Sequence, residues 1–407
     1  MRWLASPGGS ALLGALPAYD PGSDLRIQRR LRAEGCTPEQ TAALLLQSRL
    51  RTRAVDKLGG LARGMLFTPD GLEQASRAQV SAVHAERFAA ASLATVHDLG
   101  CGIGADAMAM AALGVTVCGV DRDPVTAAVA DVNLHPWPQS RARHGAAEDF
   151  VVPADPRRAR VGVWFDPARR TPGLADVAGR TRRLFRLEDL SPSWSFVREV
   201  AGLVGAAGAK LSPSLSHAEV PGGCEAQWVS YGGTLVECSL WWGPLVRKRG
   251  RTALLLDRDG ARAEVDESMA DVTVPVLGSL TQVGAWLYEP DPAVTRAGLL
   301  GALTRVTGGG EVEAGLGYVV ADRSVVVPYA RRYAVTEAMP FHPKATRQWL
   351  RTRGVTGVTI KKRGIRADET QLRRDLGVGR GAGTGAQASL VLTRVAGRQV
   401  VLVVAPA

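Results

Sequence analysis

Asp98-Leu99-Gly100-Cys101-Gly102-Ile103-Gly104 is the stretch that decides the fold, because it joins a strand-like run to a helix-like run. The apolar run Thr95 to Leu99 leads into it, and the alanine-rich run Asp106 to Leu113 follows it. Glycines at such a junction let the backbone approach a ligand closely, and the start of a helix supplies oriented amide donors. The pattern therefore predicts a nucleoside-binding strand, loop and helix.

The spacing of the glycines distinguishes two classes of nucleoside cofactor. Gly100, Gly102 and Gly104 form a Gly-x-Gly-x-Gly pattern, whereas the nicotinamide fingerprint places its third glycine one residue later. That shift, together with Asp98 two residues before the first glycine, favours S-adenosylmethionine as the cofactor. An ordinary tight turn is the alternative that the glycines alone leave open.

Acidic residues after the next two strands are predicted to extend this site. Asp121 directly follows the strand-like run Val115 to Val120, where doubly wound folds place an acid that accepts hydrogen bonds from the ribose hydroxyls. Nicotinamide enzymes use the same device, so Asp121 does not discriminate between the cofactors. Glu148 and Asp149 follow a third expected strand and are predicted to face the adenine amino group. A solvated helix cap is the alternative for either acid.

Strands and helices alternate from Ala94 onward, which predicts an α/β fold with a Rossmann-like, doubly wound sheet. The segment up to about Leu93 has helical periodicity, and the chain after Trp242 has short strands and helices, including one expected helix from Pro292 to Val306. Four parts are predicted: a helical N-terminal domain (1–92), a cofactor-binding domain (93–243), a small α+β domain of ferredoxin-like type (244–328) and a basic C-terminal α+β domain (329–407).

A second motif lies where the strand-like run Val161 to Phe165 ends, in Asp166-Pro167-Ala168-Arg169-Arg170. The segment resembles the Asp/Asn-Pro-Pro-aromatic motif of amino-group methyltransferases, although Ala168 and Arg169 replace the second proline and the aromatic residue. The Asp-Pro-Ala-Arg-Arg form is similar to bacterial relatives of the RNA cap guanine-N2 methyltransferases, the trimethylguanosine synthase group. This resemblance implies that Asp166 and Pro167 hold the target nitrogen against the methyl group. Arg169 and Arg170 are expected to grip an RNA phosphate, with salt bridges inside the protein as the alternative.

Two further segments carry resemblances. Met65-Leu66-Phe67-Thr68-Pro69-Asp70 resembles the Val-Thr-Pro-Glu segment of the same group, which implies that Phe67 and Thr68 lie over the cofactor. The chain from about Tyr329 to the end resembles a THUMP-like domain, on the residues Ile360 to Gly364 and Leu390 to Arg394. Because THUMP domains bind RNA, the resemblance implies an RNA partner.

The formal charge of +11 is concentrated in the same C-terminal part of the chain. Lys361, Lys362 and Arg363 are consecutive cations at a strand-to-loop junction, a pattern that suits a grip on backbone phosphates. A solvated basic face without a ligand is the alternative. The segment is therefore predicted to bind RNA, either tRNA or rRNA.

These features predict a methyltransferase that uses S-adenosylmethionine to methylate a base in structured RNA. The resemblance at Asp166 and Pro167 implies an exocyclic amine as one acceptor, while the sequence leaves the base and the atom open. A small-molecule methyltransferase and a non-catalytic protein that binds the cofactor and RNA are the alternatives. No apolar run approaches the ~20 residues that span a bilayer, so no membrane insertion is expected. The five cysteines are scattered and never form a Cys-x-x-Cys pair, so no metal site is expected and a reducing cytoplasm fits best.

Overall fold

The computed structural model describes residues 3–168, 187–378 and 386–407. The chain forms two compact units: residues 1–225 with 238–249 make up unit 1, and residues 226–237 with 250–407 make up unit 2. Residues 1–92 and most of the predicted cofactor-binding domain thus share one unit, and the four-part division remains a prediction. No helix in the described ranges is long and apolar enough to cross a membrane.

Unit 1 begins with a layer of helices. Thr37 starts the longest of them with a capping box, in which its hydroxyl accepts from the Gln40 amide and the Gln40 side chain accepts from the Thr37 amide. Thr68 caps a later, short helix in front of Pro69. The helices are α1 (Pro7–Gly14), α2 (Asp24–Ala33), α3 (Pro38–Leu58), α4 (Pro69–Gln74) and α5 (Ala78–Ala90).

A sheet with helical connections follows, which confirms the predicted α/β class. In unit 1 the strands lie in the order β3-β2-β1-β4-β5-β7; the first five are parallel, and β7 runs antiparallel to β5. The order reverses between β1 and β4, and in open α/β sheets ligands bind at the carboxyl ends beside such a switch point. The elements are β1 (Thr95–Leu99), α6 (Ala105–Ala112), β2 (Thr116–Asp121), α7 (Pro124–Asn133), β3 (Arg141–His144), β4 (Val161–Phe165), α8 (Trp194–Val204), β5 (Ala207–Leu211), β6 (Glu225–Tyr231) and β7 (Thr234–Trp242). Residues 226–237, which include most of β6 and the start of β7, belong to unit 2.

A buried ion pair joins the helical layer of unit 1 to the sheet. Both side chains of Arg87 and Glu225 are fully buried, and the guanidinium donates to the two carboxylate oxygens at 2.7 and 2.8 Å. The Arg87 guanidinium also lies 4.6 Å from the ring centroid of Trp241. Burial acts to raise the pKa of Glu225, but the hydrogen bonds from Arg87 and from the amides of Arg247 and Lys248 hold it below its usual value. Glu225 therefore stays ionised in the core.

The segment before α4 is fastened to unit 1 by two buried amide side chains. Gln47 on α3 donates to the Phe67 carbonyl at 2.7 Å and accepts from the Phe67 amide at 3.0 Å. Asn133, the last residue of α7, accepts from the Leu66 amide at 2.8 Å and donates to the Leu66 and Ile103 carbonyls. One side chain thus connects this segment to the glycine loop, which contains Ile103.

Unit 2 contains a seven-stranded sheet in the order β11-β12-β10-β13-β16-β15-β14. Only the edge pair β14–β15 is parallel among the described pairings of this sheet. Strands on both sides of the predicted boundary at residue 328 belong to this sheet. The elements of unit 2 are β8 (Gly250–Leu256), β9 (Arg262–Asp266), β10 (Trp286–Pro290), α9 (Pro292–Ala297), α10 (Gly301–Thr307), β11 (Gly310–Glu311), β12 (Val319–Ala321), β13 (Ala330–Pro340), α11 (Pro343–Thr352), β14 (Val355–Lys362), α12 (Glu369–Leu376), β15 (Ala386–Val395) and β16 (Arg398–Pro406).

The single helix predicted from Pro292 to Val306 is wrong, because the structure divides it in two. Gly298 ends α9 with a left-handed φ of 71°, and its amide bonds back to the Thr295 carbonyl. Such a glycine is a common helix terminator, since no Cβ opposes that conformation. The apolar spacing across the break is still helical, which explains why the periodicity concealed it.

Replacing Asn133 by alanine tests the anchoring of the segment that precedes α4. Asn133→Ala leaves one buried amide and two buried carbonyl groups without their partner, at a cost of roughly 1–3 kcal/mol for each. We expect a clearly lower midpoint of urea unfolding. Gln139→Ala, at an exposed amide of the same unit, should change the free energy of unfolding by less than about 0.5 kcal/mol. Equal midpoints for the two variants would refute the anchoring role.

Candidate active site

The glycine loop between β1 and α6 adopts a backbone that requires its glycines. Gly100, Gly102 and Gly104 have φ values of 99°, 54° and 86°, a region that side chains rarely tolerate. A Cβ atom on Gly100 would lie 2.7 Å from the carbonyl oxygen of Asp166, whereas a Cβ on Gly102 would meet no atom within 4 Å. The loop therefore packs tightly against the end of β4 and leaves open space beside Gly102.

Asp121 holds this loop in place from the end of β2. One carboxylate oxygen accepts from the Gly102 amide at 3.0 Å, and the other accepts from the Asp123 amide at 2.9 Å. A carboxylate offers roughly four acceptor positions, so Asp121 keeps capacity for the hydroxyls of a ribose. Its role as the ribose acid remains a prediction, now with Asp121 in direct contact with the loop.

Asp98 is a buried carboxyl group whose two oxygens have no hydrogen-bond partner among the described residues. Only 1% of the residue is exposed. Burial, and then the negative charges of Asp106 and Asp166, raise its pKa well above the usual value. A buried acceptor without a donor is costly, and a ligand donor at the loop would remove that cost. The residues present therefore fit a cofactor that carries ammonium and hydroxyl groups.

Glu148 and Asp149 lie in a short turn after β3, at the same edge of the sheet. The Gly145 amide donates to the Asp121 carbonyl at 3.0 Å, so the turn starts beside Asp121. Both acidic side chains are exposed, and Asp149 accepts from the Ala146 amide at 3.3 Å. Asp149 thus caps its own turn, and the predicted adenine contacts stay predictions.

Phe67 and Thr68 directly precede α4, the helix that packs on the glycine loop. A Cβ on Gly71 would lie 2.3 Å from a methyl carbon of Ile103, so α4 packs directly on the loop. The Phe67 side chain is fully buried in the core of unit 1, and the Thr68 hydroxyl accepts from the Gly71 amide at 3.0 Å. The cofactor contacts predicted for Phe67 and Thr68 remain untested.

Asp166 and Pro167 follow β4 directly, next to the loop. The Asp166 amide donates to the Leu99 carbonyl at 3.3 Å, and Pro167 is buried. The Asp166 carboxylate forms an ion pair with Lys210 of β5, and 30% of the Asp166 side chain stays exposed. The Asp166 carboxylate is therefore partly accessible to solvent, and its role in holding a methyl acceptor remains a prediction. Arg169 and Arg170, the predicted phosphate grip, lie outside the described residues.

Sequence analysis missed the groups that surround Asp166. Lys210 donates to the hydroxyl of Ser76 at 3.2 Å, and that hydroxyl donates to Asp106 at 3.0 Å. The other oxygen of Asp106 lies 2.9 Å from Nδ1 of His84. Lys210 lies on β5, Ser76 lies in the segment between α4 and α5, Asp106 lies on α6 and His84 lies on α5. Among these residues, Lys210 was the one that the sequence could have suggested as part of the site, since it is a lone cation near the end of an apolar strand.

The predicted RNA grip in unit 2 has partners inside the fold. Lys361 contacts the Glu289 carboxylate at 2.5 Å, and Arg363 lies 3.8 Å from the same group and 4.6 Å from the ring centroid of Tyr318. Alternation along β14 directs Lys362 to the opposite side, where it is exposed and donates to the Ala367 carbonyl. RNA binding by Lys361, Lys362 and Arg363 stays a prediction, and Glu289 is a partner that the sequence did not suggest.

Another cationic surface of unit 2 lies on α11. Lys344, Arg347 and Arg351 are exposed, and their spacing places them on one face of the helix. Within the described ranges none of the three forms an ion pair. The opposite face packs Thr346 and Leu350 into the unit. We call these three residues the α11 stripe.

Both ends of the chain match known protein families. Residues 330–406 match the family described as THUMP domain-like, and residues 1–54 match a domain of unknown function, DUF8688. A crystal structure from Porphyromonas gingivalis that carries a methyltransferase assignment superposes with a TM-score of 0.71 at 20% identity. The alignment covers 96% of this chain and 100% of that one, so the two share a fold.

Relatives from two strains of Mycobacterium tuberculosis connect this fold to an activity. Both are named as uncharacterized S-adenosylmethionine-dependent methyltransferases and are 30% identical to this chain over 341 residues. The match covers 80% of this chain and 86% of each relative. The cofactor predicted from the glycine spacing is thereby confirmed. The chain belongs to the S-adenosylmethionine-dependent methyltransferases and carries a THUMP-like domain at its C-terminus.

Proposed function

We propose that this methyltransferase modifies a base of structured RNA, with an exocyclic amine as the acceptor. The observation that carries the proposal is the position of the Asp166 carboxylate, which follows β4 beside the glycine loop and is partly exposed. A carboxylate accepts hydrogen bonds from an amine and can align its nitrogen with a methyl group. The Asp-Pro pair also underlies the resemblance to the guanine-N2 methyltransferases.

Methyl transfer asks little acid or base chemistry of the protein. When bound, S-adenosylmethionine would supply an electrophilic methyl group on a positively charged sulfur, and the glycine loop, Asp98 and Asp121 would hold it. The acceptor nitrogen would form its bond to the methyl carbon as the bond between that carbon and sulfur breaks, with S-adenosylhomocysteine as the leaving group. One proton on the nitrogen would then leave toward Asp166 or water. Asp166 therefore acts mainly by orientation and by its negative charge beside the nitrogen that becomes positive.

An RNA substrate is supported by unit 2. Residues 330–406 match the THUMP-like family, and the α11 stripe lies within that match. Lysine and arginine side chains that have no carboxylate partner are available to neutralise phosphates. We therefore assign the main phosphate contacts to the α11 stripe together with Lys362, ahead of Lys361 and Arg363, which face Glu289. An RNA substrate implies a cytoplasmic protein, in keeping with five free cysteines.

Methyl transfer to RNA tests the activity directly. Radiolabelled S-adenosylmethionine is incubated with total RNA from a strain that lacks this protein, and incorporation is measured for the wild type, Asp166→Ala and Asp155→Asn. We expect labelled RNA with the wild type and with Asp155→Asn, an exposed acid of the same unit. Asp166→Ala should be slower by about 10²–10³-fold, the typical effect of losing one group that stabilises a transition state.

Two outcomes would overturn this proposal. Label that enters small metabolites in a cell extract but not RNA would favour a small-molecule methyltransferase. Retention of the cofactor and RNA, with no transfer by the wild type, would favour a non-catalytic binding protein.

Salt dependence of RNA affinity tests the α11 stripe. The triple variant Lys344→Ala, Arg347→Ala, Arg351→Ala removes up to three phosphate contacts. The slope of log affinity against log salt should fall by roughly 0.7–0.9 for each lost contact. The matched control is Arg26→Ala, Arg29→Ala, Arg32→Ala on α2, which removes the same charge from unit 1. An equal decrease of this slope in both triple variants would mean that RNA affinity depends on the net charge of the protein and not on the α11 stripe.

A further inference from the structure

We propose that Lys210 is a positioning residue of the methyl-transfer reaction. It orients the Asp166 carboxylate and serves as the shared counter-cation of the carboxylates on both sides of the glycine loop. This inference rests on the proposed role of Asp166 as the group that holds the methyl acceptor.

Strand register brings Lys210 to Asp166. In the parallel pair β4–β5, Phe165 lies opposite Ala209, so Asp166 and Lys210 are the next residues on adjacent strands. The Lys210 ammonium contacts Oδ2 of Asp166, and only 14% of the lysine side chain is exposed. An ion pair with little solvent around it is screened less by water than a surface pair. Lys210 can therefore fix the orientation of Asp166.

Lys210 itself is fixed by a chain of polar contacts. Its ammonium donates to Ser76, which donates to Asp106, which pairs with His84. The ring of His84 packs against Trp164 with centroids 4.5 Å apart and a tilt of 39° between the rings, and His84 is 1% exposed. An ammonium group held by two partners loses little further freedom when substrate binds, which is how positioning residues assist catalysis.

Lys210 also acts on the neighbouring carboxyl groups through its positive charge. Burial acts to raise the pKa of Asp106, but the charge and hydrogen bond of His84, and then Lys210, hold it well below its usual value. At Asp98, burial and the neighbouring acids raise the pKa, and Lys210 acts in the opposite direction. Lys210 thus lies against Asp166, is linked to Asp106 through one hydroxyl and acts on Asp98.

Other charged groups face this cluster from the elements around it. Lys57 on α3 donates to the Leu72 and Glu73 carbonyls; burial, followed by the positive charges of Lys210 and Arg77, lowers its pKa to about 8. Lys57 therefore begins to lose its charge in the mildly alkaline range. Asp121 on β2 adds negative charge near Asp98. Lys57 also acts on Asp166 by charge, but Lys210 contacts the Asp166 carboxylate, so loss of Lys210 should matter more than loss of Lys57.

The pH profile distinguishes a charge role from a purely structural one. Loss of Lys210 removes one contacting cation from Asp166 while the neighbouring Asp98 remains, so Asp166 takes up a proton at a higher pH than in the wild type. The acid limb of the methyl-transfer rate should then move to higher pH. A loss of packing alone would lower the rate by the same factor at every pH.

The experiment measures kcat and KM for RNA between about pH 5 and pH 9, together with the affinity for S-adenosylhomocysteine. The variants are Lys210→Met, Lys210→Arg and, as a matched control, Lys57→Met. We expect Lys210→Met to lower kcat at least tenfold at neutral pH, with a smaller change in KM, and to shift the acid limb upward by about one pH unit. Lys210→Arg should restore the position of the limb. Lys57→Met should shift the limb by less than Lys210→Met does, because Lys57 influences Asp166 by charge whereas Lys210 contacts its carboxylate.

A uniform loss of kcat in Lys210→Met with an unshifted limb would overturn the inference, as would failure of the folded Lys210→Arg variant to restore the limb. If wild-type enzyme labels no RNA, the proposed function fails, and binding of S-adenosylhomocysteine still decides the role of Lys210. If Lys210→Met loses its affinity for S-adenosylhomocysteine at a higher pH than the wild type does, this supports a charge role of Lys210 that acts through Asp98. Coincident binding curves for the variant and wild type overturn it.

Discussion

The close approach of the Gly100 backbone to the Asp166 carbonyl is the constraint on which the site depends. A Cβ at position 100 would lie 2.7 Å from that oxygen, so any side chain there would force the loop away from β4. The contact joins the two parts of the proposed site, since the loop is proposed to bind the cofactor and Asp166 is proposed to hold the methyl acceptor. Because β1 and β4 flank the switch point of the sheet, both halves lie at its carboxyl edge.

A tight loop also concentrates negative charge, which the fold has to balance. Burial, and then the negative charges of Asp106 and Asp166, raise the pKa of Asp98. The balancing groups come from elsewhere in unit 1, namely Lys210 on β5 and His84 on α5. The N-terminal helices thus contribute to the site in two ways. His84 on α5 balances the charge of Asp106, and Gln47 on α3 holds the segment that precedes α4, the helix that packs on the loop.

Local sequence was enough to predict a strand, glycine loop and helix at this point and to place Asp98 and Asp121 next to that loop, because the arrangement depends on residues fairly close together in the chain. It also predicted the α/β class, since strand and helix periodicities alternate there. The partner of Asp166 could not be predicted, because Lys210 reaches it only through the pairing of β4 with β5. Likewise Lys361 and its partner Glu289 are 72 residues apart in the chain. The sequence therefore showed only a run of cations, which suggested a phosphate-binding segment, and did not reveal that Lys361 pairs with a carboxylate. Periodicity also concealed the break at Gly298, where one glycine divides an otherwise continuous helical pattern.

The most direct test of the account is a crystal structure with bound S-adenosylhomocysteine. We expect the ligand on the glycine loop beside Gly102, with its ribose hydroxyls hydrogen-bonded to Asp121, a donor satisfying Asp98, and its sulfur toward Asp166. A ligand bound away from the loop, or one that leaves Asp98 and Asp121 without contact, would contradict the assignment of this edge as the site of methyl transfer.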